Sequence, residues 1–396
     1  RAAIKDEPVH HNYIKRFVAD WEMNLPDRPK PSQLPQTGKK VAIVGGGPSG
    51  LTAAYFLARL GHTPVIYEAL PKCGGMLRYG IPEYRLPKKV LDFEIQEILD
   101  LGCEVKYNQR LGRDFTLAQL EADYDAVYLA IGAWGNTALG IAGENDFEGA
   151  WKGTEFLQKR ELGEKVDLAG KKVVVVGGGN TAMDAARSSL RMGATEVVLL
   201  YRRTRKEMPA NAVEIEAAEH EGVKYHFLAA PTRLVGEAGK LKGIEFQRME
   251  LGEPDSSGRR RPVPVAGSET VMDCDVVIAA IGQFPLVDWV GDDLKERGLK
   301  TTKWKTVEAD PRTLQTGIPK IFTGGDLFSG PALVVDAIGA GRRAARSIHY
   351  FLSGKPLDFP ASAIVKPEKL PESAARAQNP PLGTAGAPPK RYWMSM

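Results

Sequence analysis

One pattern occurs twice in this chain and constrains its fold more than any other feature: an apolar strand, a glycine-rich turn and a helix. The first copy reads VAIVGGGPSG (residues 41–50), and the second reads VVVVGGGNTA (residues 173–182). Continuous apolar runs of this kind indicate strands of a parallel sheet that is buried on both faces. Strand, glycine turn and helix together begin a nucleotide-binding βαβ unit. The sequence therefore predicts an α/β fold with two Rossmann-like dinucleotide-binding domains.

The first turn predicts a dinucleotide site. Its candidate residues are Gly45, Gly47, Pro48, Ser49 and Gly50. The three glycines have the G-x-G-x-x-G spacing, which permits a tight turn and close approach of the backbone to a pyrophosphate at the helix start. Glu68 ends the next apolar run, where a carboxylate accepts hydrogen bonds from ribose hydroxyls and repels a 2′-phosphate. The alternative is a turn that serves only the geometry of the chain.

The second turn predicts a different nucleotide. Its candidate residues are Gly177, Gly179, Asn180, Thr181 and Ala182. Arg202 lies close to the counterpart of Glu68, and Arg203 follows it. An arginine fork suits a phosphate monoester and cannot accept a hydrogen bond from a hydroxyl, so the pair favours NADP(H) over NAD(H). The alternative is a pair of solvated surface charges. Two such sites in one chain are typical of a flavoprotein that exchanges hydride with NADP(H).

A third turn, in IFTGGD (residues 321–326), supplies candidate flavin contacts. Gly325 and Asp326 follow a short apolar strand, and a helix is predicted to start near Ala332, with Leu333 and Val334 in its first turn. The carboxylate of Asp326 can reach a ribityl hydroxyl. The helix N-terminus can face the N1–C2=O edge of the flavin, where its dipole favours the reduced anionic ring. A helix that only packs on the sheet is compatible with the same pattern.

The order of the motifs resembles one known family. VAIVGGGPSGL, GGMLRYGIPEYRLP, YDAVYLAIGA, VVVVGGGNTAMD, YRRT, EMP and IFTGGD…LVVDAI follow one another as in the small subunit of bacterial glutamate synthase, over about residues 3–352. The same module is similar to the NADPH-entry region of dihydropyrimidine dehydrogenase and to the large subunit of bifurcating NADH-dependent ferredoxin:NADP oxidoreductase. The resemblance implies FAD at the first turn and NADPH at the second.

The resemblance also implies roles for single residues. In the segment 74–87, Gly75, the backbone of Met76 and the side chain of Arg85 should approach FAD, with the arginine near the pyrophosphate. Gly132 should lie under FAD, and Gly282 should serve the domain of the nicotinamide coenzyme. From the residues alone, Arg85 is an ordinary loop arginine.

Each of the two copies of the pattern ends in a similar apolar segment, YDAVYLAIG (124–132) in the first and CDVVIAAIG (274–282) in the second. The positions of these two segments place the NADP domain as an insertion in the FAD domain. The predicted segments are an N-terminal helix and linker (1–37), the first part of the FAD-binding domain (38–146), the NADP(H)-binding domain (147–283), the second part of the FAD-binding domain (284–354) and a Pro- and Ala-rich tail (355–396).

The cysteines of this chain do not provide a site for an electron acceptor. Cys73, Cys103 and Cys274 are distant from one another in sequence, which excludes a C-x-x-C pair and a cysteine-ligated iron–sulfur cluster within the chain. In the family, a cysteine-rich iron–sulfur segment precedes the counterpart of residues 12–21. We therefore expect a longer polypeptide or a hetero-oligomer, with iron–sulfur clusters upstream of Arg1 or in a partner subunit.

The remaining composition excludes other classes. A net charge of +4 does not indicate nucleic-acid binding. No apolar run reaches about 18 residues, so we predict no transmembrane segment and expect a cytoplasmic location. No metal site is predicted.

The predicted function is an FAD-dependent NADP(H) oxidoreductase that passes hydride between NADPH and FAD and relays single electrons to iron–sulfur centres. No catalytic acid or base is required at the hydride step. A disulfide reductase of the thioredoxin-reductase type needs a redox-active cysteine pair, which this chain lacks. A flavin-bearing redox-sensing or docking subunit without turnover is the remaining alternative.

Overall fold

The structure is a computed structural model that describes residues 11–28, 30–255 and 258–359. The N-terminal helix α1 spans His11–Met23, which confirms the helix predicted in this segment. Its apolar side chains Phe17 and Trp21 are exposed. Most of the Pro- and Ala-rich tail, from residue 360 onward, lies outside the described residues.

The first sheet contains the first glycine turn. Its strands are β1 (Lys40–Val44), β2 (Thr63–Glu68), β3 (Glu104–Tyr107), β4 (Ala126–Leu129) and β16 (Ile321–Thr323). All pairs are parallel, and the order across the sheet is β16–β4–β1–β2–β3. Ile43 packs into one apolar cluster and Val44 into another, so apolar residues cover both faces of β1. Because β16 joins from far down the chain, this sheet is built from both sides of an insertion.

The second sheet lies within that insertion and repeats the first design. Its strands are β6 (Ala150–Lys152), β7 (Lys172–Val176), β8 (Glu196–Tyr201), β9 (Lys224–Phe227) and β14 (Val276–Ala279). The order is β6–β14–β7–β8–β9, again with parallel pairs. Both glycine turns therefore leave the central strand of a five-stranded sheet, at the edge where parallel α/β sheets bind ligands.

An antiparallel sheet extends the inserted unit. It consists of β10 (Ala229–Glu237), β11 (Lys240–Pro254), β12 (Arg260–Pro264) and β13 (Thr270–Asp273). β11 pairs with the other three strands. Strands β11 and β12 form an antiparallel hairpin.

The chain enters and leaves the insertion at one place. β5 (Gly135–Asn136) and β15 (Gln283–Phe284) form a short antiparallel pair. A Cβ on Gly135 would lie 2.4 Å from the Phe284 ring, so only glycine allows the two segments to pass this closely.

Helices complete the layers. They are α2 (Pro48–Arg59), α3 (Met76–Tyr79), α4 (Lys88–Leu99), α5 (Leu117–Asp123), α6 (Gly153–Glu161), α7 (Asn180–Arg191), α8 (Ala212–His220), α9 (Asp292–Glu296), α10 (Asp326–Ser329) and α11 (Val334–Leu352). α11 packs closely on α2, since a Cβ on Gly341 would lie 2.2 Å from the carbonyl oxygen of Ser49. Within the described ranges, no helix combines the length and apolar character needed to cross a bilayer.

Candidate functional site

The first glycine turn is tight because neighbouring backbone leaves no room for side chains. Gly45 has φ +112°, and a Cβ there would lie 2.4 Å from the carbonyl oxygen of Ala130, which directly follows the adjacent strand β4. A Cβ on Gly50 would lie 1.9 Å from the carbonyl oxygen of Gly45. The two glycines hold helix α2 against β1 and aim its N-terminus at the sheet edge.

That N-terminus is free to bind an anion. Gly47 precedes Pro48 and Ser49 at the start of α2, and no side chain caps the helix. Gly75 lies opposite, and a Cβ there would be 2.8 Å from the Cα of Gly47. The uncapped N–H groups and the helix dipole suit a pyrophosphate.

A cleft of about 310 Å³ opens beside this turn. This volume is within the range of small-molecule sites. The predicted residues that line it are Gly45, Gly47, Pro48, Ser49, Glu68, Gly75, Met76, Gly132, Gly325 and Asp326. The cleft is also lined by residues outside the predicted set, among them Gln158, Leu286, Trp134 and Trp289. Trp134 could have been predicted from the sequence, because it follows the predicted Gly132 by two residues. The glycine cradle, the uncapped helix and this apolar wall fit FAD.

Glu68 lies in the wall of the cleft, and backbone groups fix its carboxylate. Its Oε2 accepts a hydrogen bond from Gly46 N at 2.7 Å, and its Oε1 accepts one from Leu70 N at 2.8 Å. Burial raises the pKa of the Glu68 carboxyl, and the hydrogen bonds from backbone N–H groups oppose that shift. The residue is therefore held in place before any ribose arrives.

The third turn brings Asp326 to the same cleft. Burial raises the pKa of the Asp326 carboxyl to about 6, so the group is ionised at neutral pH. Gly325 has φ +61°, and a Cβ there would lie 2.9 Å from Ser49 Cβ. The long helix begins at Val334, two residues later than predicted. Among its first-turn residues, Leu333 and Val334 are exposed, and Ala337 lines the cleft.

The second glycine turn has the same construction. Gly177 has φ +142°, and a Cβ there would lie 2.2 Å from the carbonyl oxygen of Ala280. Ala182 is fully buried, as the close packing of helix on strand requires. Gly179 precedes α7, whose N-terminus has no side-chain cap. Nothing lies within 4 Å of a Cβ built on Gly179, so the turn is open to a ligand.

Asn180 and Thr181 begin helix α7 with different contacts. Asn180 Oδ1 accepts a hydrogen bond from Asn211 N at 2.9 Å, which ties the turn to the start of α8. A Cβ on Gly153 would lie 3.2 Å from Thr181 Cγ2, so Thr181 packs against the start of α6.

The hydrogen bonds at the two turns align the end of strand β8 with the end of β2. Gly45 N donates to Tyr67 O, and Gly177 N donates to Leu200 O. The residue after Tyr67 is Glu68, so its counterpart is Tyr201, and Arg202 lies close to that position as predicted. Arg202 lies one position further and is exposed. The displacement arises because the second unit has one more residue between its helix and its strand end.

Arg203 was predicted to bind the 2′-phosphate, but its side chain is buried and already paired. Its side chain is 5% exposed, and its Nη2 contacts Asp255 Oδ2 at 2.5 Å. Its Nε donates to the carbonyl oxygen of Arg260 at 2.7 Å. Since both partners belong to the β11–β12 hairpin, this guanidinium fastens the hairpin to the strand end.

Arg85 also has a role other than the predicted one. It does not line the flavin-side cleft. Its Nη1 donates to both carboxylate oxygens of Asp184 at 2.7 and 2.8 Å, and its Nε lies 3.0 Å from Glu214 Oε1. Burial raises the pKa of Asp184 to about 6, which leaves the carboxylate ionised at neutral pH. Arg85 therefore links the loop after β2 to the inserted unit.

The two glycines that follow β4 and β14 differ in surroundings. Gly132, with φ +75°, lines the cleft beside Trp134. Gly282, with φ +140°, lies at the chain crossing, where its carbonyl oxygen accepts a hydrogen bond from Thr137 N at 2.9 Å. Gly282 thus lies where the chain leaves the inserted unit.

Comparison with known families agrees with this geometry. The family described as pyridine nucleotide-disulphide oxidoreductase matches residues 39–341. The chain belongs to this family. Members bind FAD and NAD(P)H, which confirms the predicted oxidoreductase class and its two cofactors.

Several curated relatives of this chain have names that describe them as subunits. It is 47% identical over 88% of its length to the NADP(+)-dependent formate dehydrogenase subunit beta of Moorella thermoacetica, and covers 52% of that protein. It is 45% identical over 88% of its length to the NADPH-Fe(3+) oxidoreductase subunit beta of Geobacter sulfurreducens, covering 55%. The chain thus spans about half the length of these relatives.

A third relative confirms the predicted resemblance. The chain is 40% identical over 86% of its length to the glutamate synthase [NADPH] small chain of Escherichia coli, and covers 74% of it. The chain therefore fits the glutamate synthase small-subunit-like group within the family.

Solved structures share the fold. FprA from Mycobacterium tuberculosis matches with a TM-score of 0.69 and 20% identity, over 80% of this chain and 85% of that chain. Thioredoxin reductase from T. acidophilum matches with a TM-score of 0.59 and 21% identity, over 78% of this chain and 98% of that one. The prediction of two Rossmann-like domains is thereby confirmed.

Proposed function

We propose that this chain is the FAD- and NADPH-binding module of a larger oxidoreductase. It passes hydride between NADPH and FAD and relays single electrons to iron–sulfur centres in another segment or subunit. One observation carries the proposal: two glycine turns of the same geometry are followed by different strand ends, Glu68 in one and Tyr201-Arg202 in the other.

On the flavin side, each residue has a binding task. The N-terminus of α2 holds the pyrophosphate, and the fixed carboxylate of Glu68 accepts hydrogen bonds from the adenosine ribose. Asp326, ionised at neutral pH, accepts one from the ribityl chain. The indoles of Trp134 and Trp289 exclude water from the cleft.

On the coenzyme side, Gly179 lets the pyrophosphate approach the N-terminus of α7, and Arg202 binds the 2′-phosphate. Asn180 and Thr181 shape the same turn. Gly282, at the chain crossing between the units, would lie near the nicotinamide. With both cofactors bound, the chemistry that they would supply is hydride exchange between the reduced nicotinamide and the flavin. No side chain acts as an acid or base at that step; the chain binds, orients and keeps water out.

The wider assembly is also part of the proposal. The relatives' names as subunits support a hetero-oligomer whose other part receives the electrons. We retain the predicted segment boundaries, with residues 147–283 as the coenzyme-binding insertion in a flavin-binding domain. The cytoplasmic location stays a prediction.

Disulfide exchange has no support as a second function. Cys73, Cys103 and Cys274 are each buried and free. Burial raises the pKa of each thiol to about 12, so no thiolate forms near neutral pH.

Stopped-flow mixing of the FAD-loaded protein with NADPH tests the proposal. We expect rapid bleaching of flavin absorbance, and we expect Arg202→Ala to raise the Kd of NADPH by about tenfold with little change for NADH. Arg233→Ala, an exposed arginine of the same domain that pairs with Glu245, is the matched control. A wild-type protein that is not bleached by NADPH would reject turnover and leave the redox-sensing alternative.

A further inference from the structure

We propose that the β11–β12 hairpin is part of the coenzyme site, and that Arg261 on this hairpin binds the 2′-phosphate together with Arg202. This inference rests on the proposed NADPH function and goes beyond it, because it assigns coenzyme specificity to a segment outside the βαβ unit. It also assigns Arg203 to positioning rather than to binding.

A cavity separates the strand end from the hairpin. It is lined by Arg202, Arg203, Glu253, Pro254, Asp255, Arg261, Pro262 and Val263. The first two residues follow β8, and the others belong to the two hairpin strands or to their connection. The cavity therefore exists only because the hairpin folds over the end of β8.

Two guanidinium groups at this cavity have no protein partner. Among the described residues, neither Arg202 nor Arg261 has an ion pair or a side-chain hydrogen bond, and both residues are exposed. Arg260 differs: its Nε donates to the carbonyl oxygen of Gly252 at 3.1 Å. Free arginines from two separate segments facing one cavity can together bind an anion.

The carboxylates of the cavity do not cancel this charge. Asp255 contacts Arg203, which is itself buried. Glu253 then stands against the two free guanidinium groups of Arg202 and Arg261. The excess is positive, and forked donors match the oxygens of a phosphate monoester better than a single carboxylate.

The hairpin is held rigidly enough to place Arg261. Arg203 binds Asp255 on one side of the hairpin connection and the carbonyl oxygen of Arg260 on the other. Arg260 directly precedes Arg261. The buried guanidinium of Arg203 therefore fixes the backbone next to the residue that is proposed to bind the phosphate. At the base, Met249 N donates to the carbonyl oxygen of Leu228 at 2.7 Å.

The test compares two small probes that differ only in the 2′-phosphate. Titration calorimetry with 2′,5′-ADP and with 5′-AMP measures binding without any flavin chemistry. We expect Arg261→Ala to weaken 2′,5′-ADP about tenfold and to leave 5′-AMP within about twofold, because a charge-assisted contact is lost. Arg261→Lys should restore part of the loss. The control is Arg248→Ala, an exposed arginine of the same sheet that does not line the cavity.

Three outcomes are decisive. If Arg202→Ala weakens 2′,5′-ADP and Arg261→Ala does not, this inference is wrong and the proposed function stands. If Arg261→Ala weakens both probes equally, the hairpin has a structural role only, which also overturns the inference. If the wild-type protein binds both probes equally and NADPH does not bleach its flavin, the proposed function itself fails.

Discussion

The two βαβ units of this molecule have the same backbone construction at their glycine turns. A Cβ on Gly45 would meet the carbonyl oxygen of Ala130, and one on Gly177 would meet that of Ala280, at 2.4 and 2.2 Å. The hydrogen bonds that join each central strand to the neighbouring chain beside the turn also correspond: Ala130 N donates to Val44 O, and Ala280 N donates to Val176 O, both at 2.8 Å.

Their difference lies at the end of the second strand. In the first unit the carboxylate of Glu68 receives two backbone hydrogen bonds, whereas in the second unit the hydroxyl of Tyr201 donates to the carbonyl oxygen of Glu207 at 2.9 Å. Both turns therefore lead into a helix whose N-terminus has no side-chain cap, and the two units differ at the strand end and in what folds over it. Under the proposed function, the shared turn would bind pyrophosphate, and the strand end would select between a plain and a phosphorylated ribose.

A second difference lies between the helix and the second strand of each unit. His62 in the first unit corresponds to Ala194 in the second, because each follows the glycine that ends its helix. His62 Nδ1 lies 2.8 Å from Thr37 Oγ1, and His62 Nε2 lies 2.9 Å from His349 Nδ1. The first unit is thereby joined to helix α11 by a polar contact that the second unit lacks.

The largest expected effect comes from alanine at each turn glycine. Gly45→Ala should leave the purified protein without bound FAD, and Gly177→Ala should keep FAD but lose NADPH binding, since each Cβ collides with a strand carbonyl at a positive φ. Flavin absorbance and calorimetry with NADPH measure the two losses. The control is Gly339→Ala, where a Cβ meets open space. Loss of both cofactors in both variants would contradict two independent sites.

A smaller effect is expected at the link between the units. Arg85→Ala should lower the free energy of unfolding by about 3 kcal/mol, because Asp184 is left buried without its cation. The purified variant should retain bound FAD, since Arg85 does not line the cleft. Denaturant unfolding and flavin absorbance measure the two properties.

Arg248→Ala is the control for that link, because it removes an exposed pair with Glu250 and should change stability by less than about 1 kcal/mol. If Arg85→Ala lost FAD while Arg248→Ala kept it, the original pyrophosphate assignment would be restored.

The smallest effect is the contribution of one histidine of the first unit, His62, to the pH dependence of stability. Burial and the neighbouring His349 lower the pKa of His62 to about 4. The unfolded chain therefore binds this proton before the folded protein does, and stability falls as the pH falls from about 6.5 towards 4. Between pH 7 and pH 5 we expect His62 to account for a loss of about 1–2 kcal/mol.

Replacing this histidine by a group that does not titrate isolates the contribution. The difference in unfolding free energy between pH 7 and pH 5, measured in urea, should be smaller in His62→Gln by that amount. An unchanged difference would mean that other groups cause the acid sensitivity. Replacement of Ala194 by serine, at the corresponding position of the second unit, should leave the pH dependence as it is.

The sequence predicted those parts of the site that depend on local spacing. The glycine turns and the strands before them follow from residues close together in the chain. The roles of Arg85 and Arg203 could not be predicted, because their carboxylate partners, Asp184 and Asp255, are 99 and 52 residues away in sequence. Counting along the chain also could not reveal the additional residue that makes Tyr201 the counterpart of Glu68.

The crossing formed by β5 and β15 has an evolutionary consequence. Because both polypeptide connections of the inserted unit run side by side, at Gly135–Asn136 and Gln283–Phe284, the gene segment between them encodes all strands of the second parallel sheet and of the antiparallel sheet. Recombination at these two points would therefore exchange two complete sheets and leave every strand of the first sheet in place.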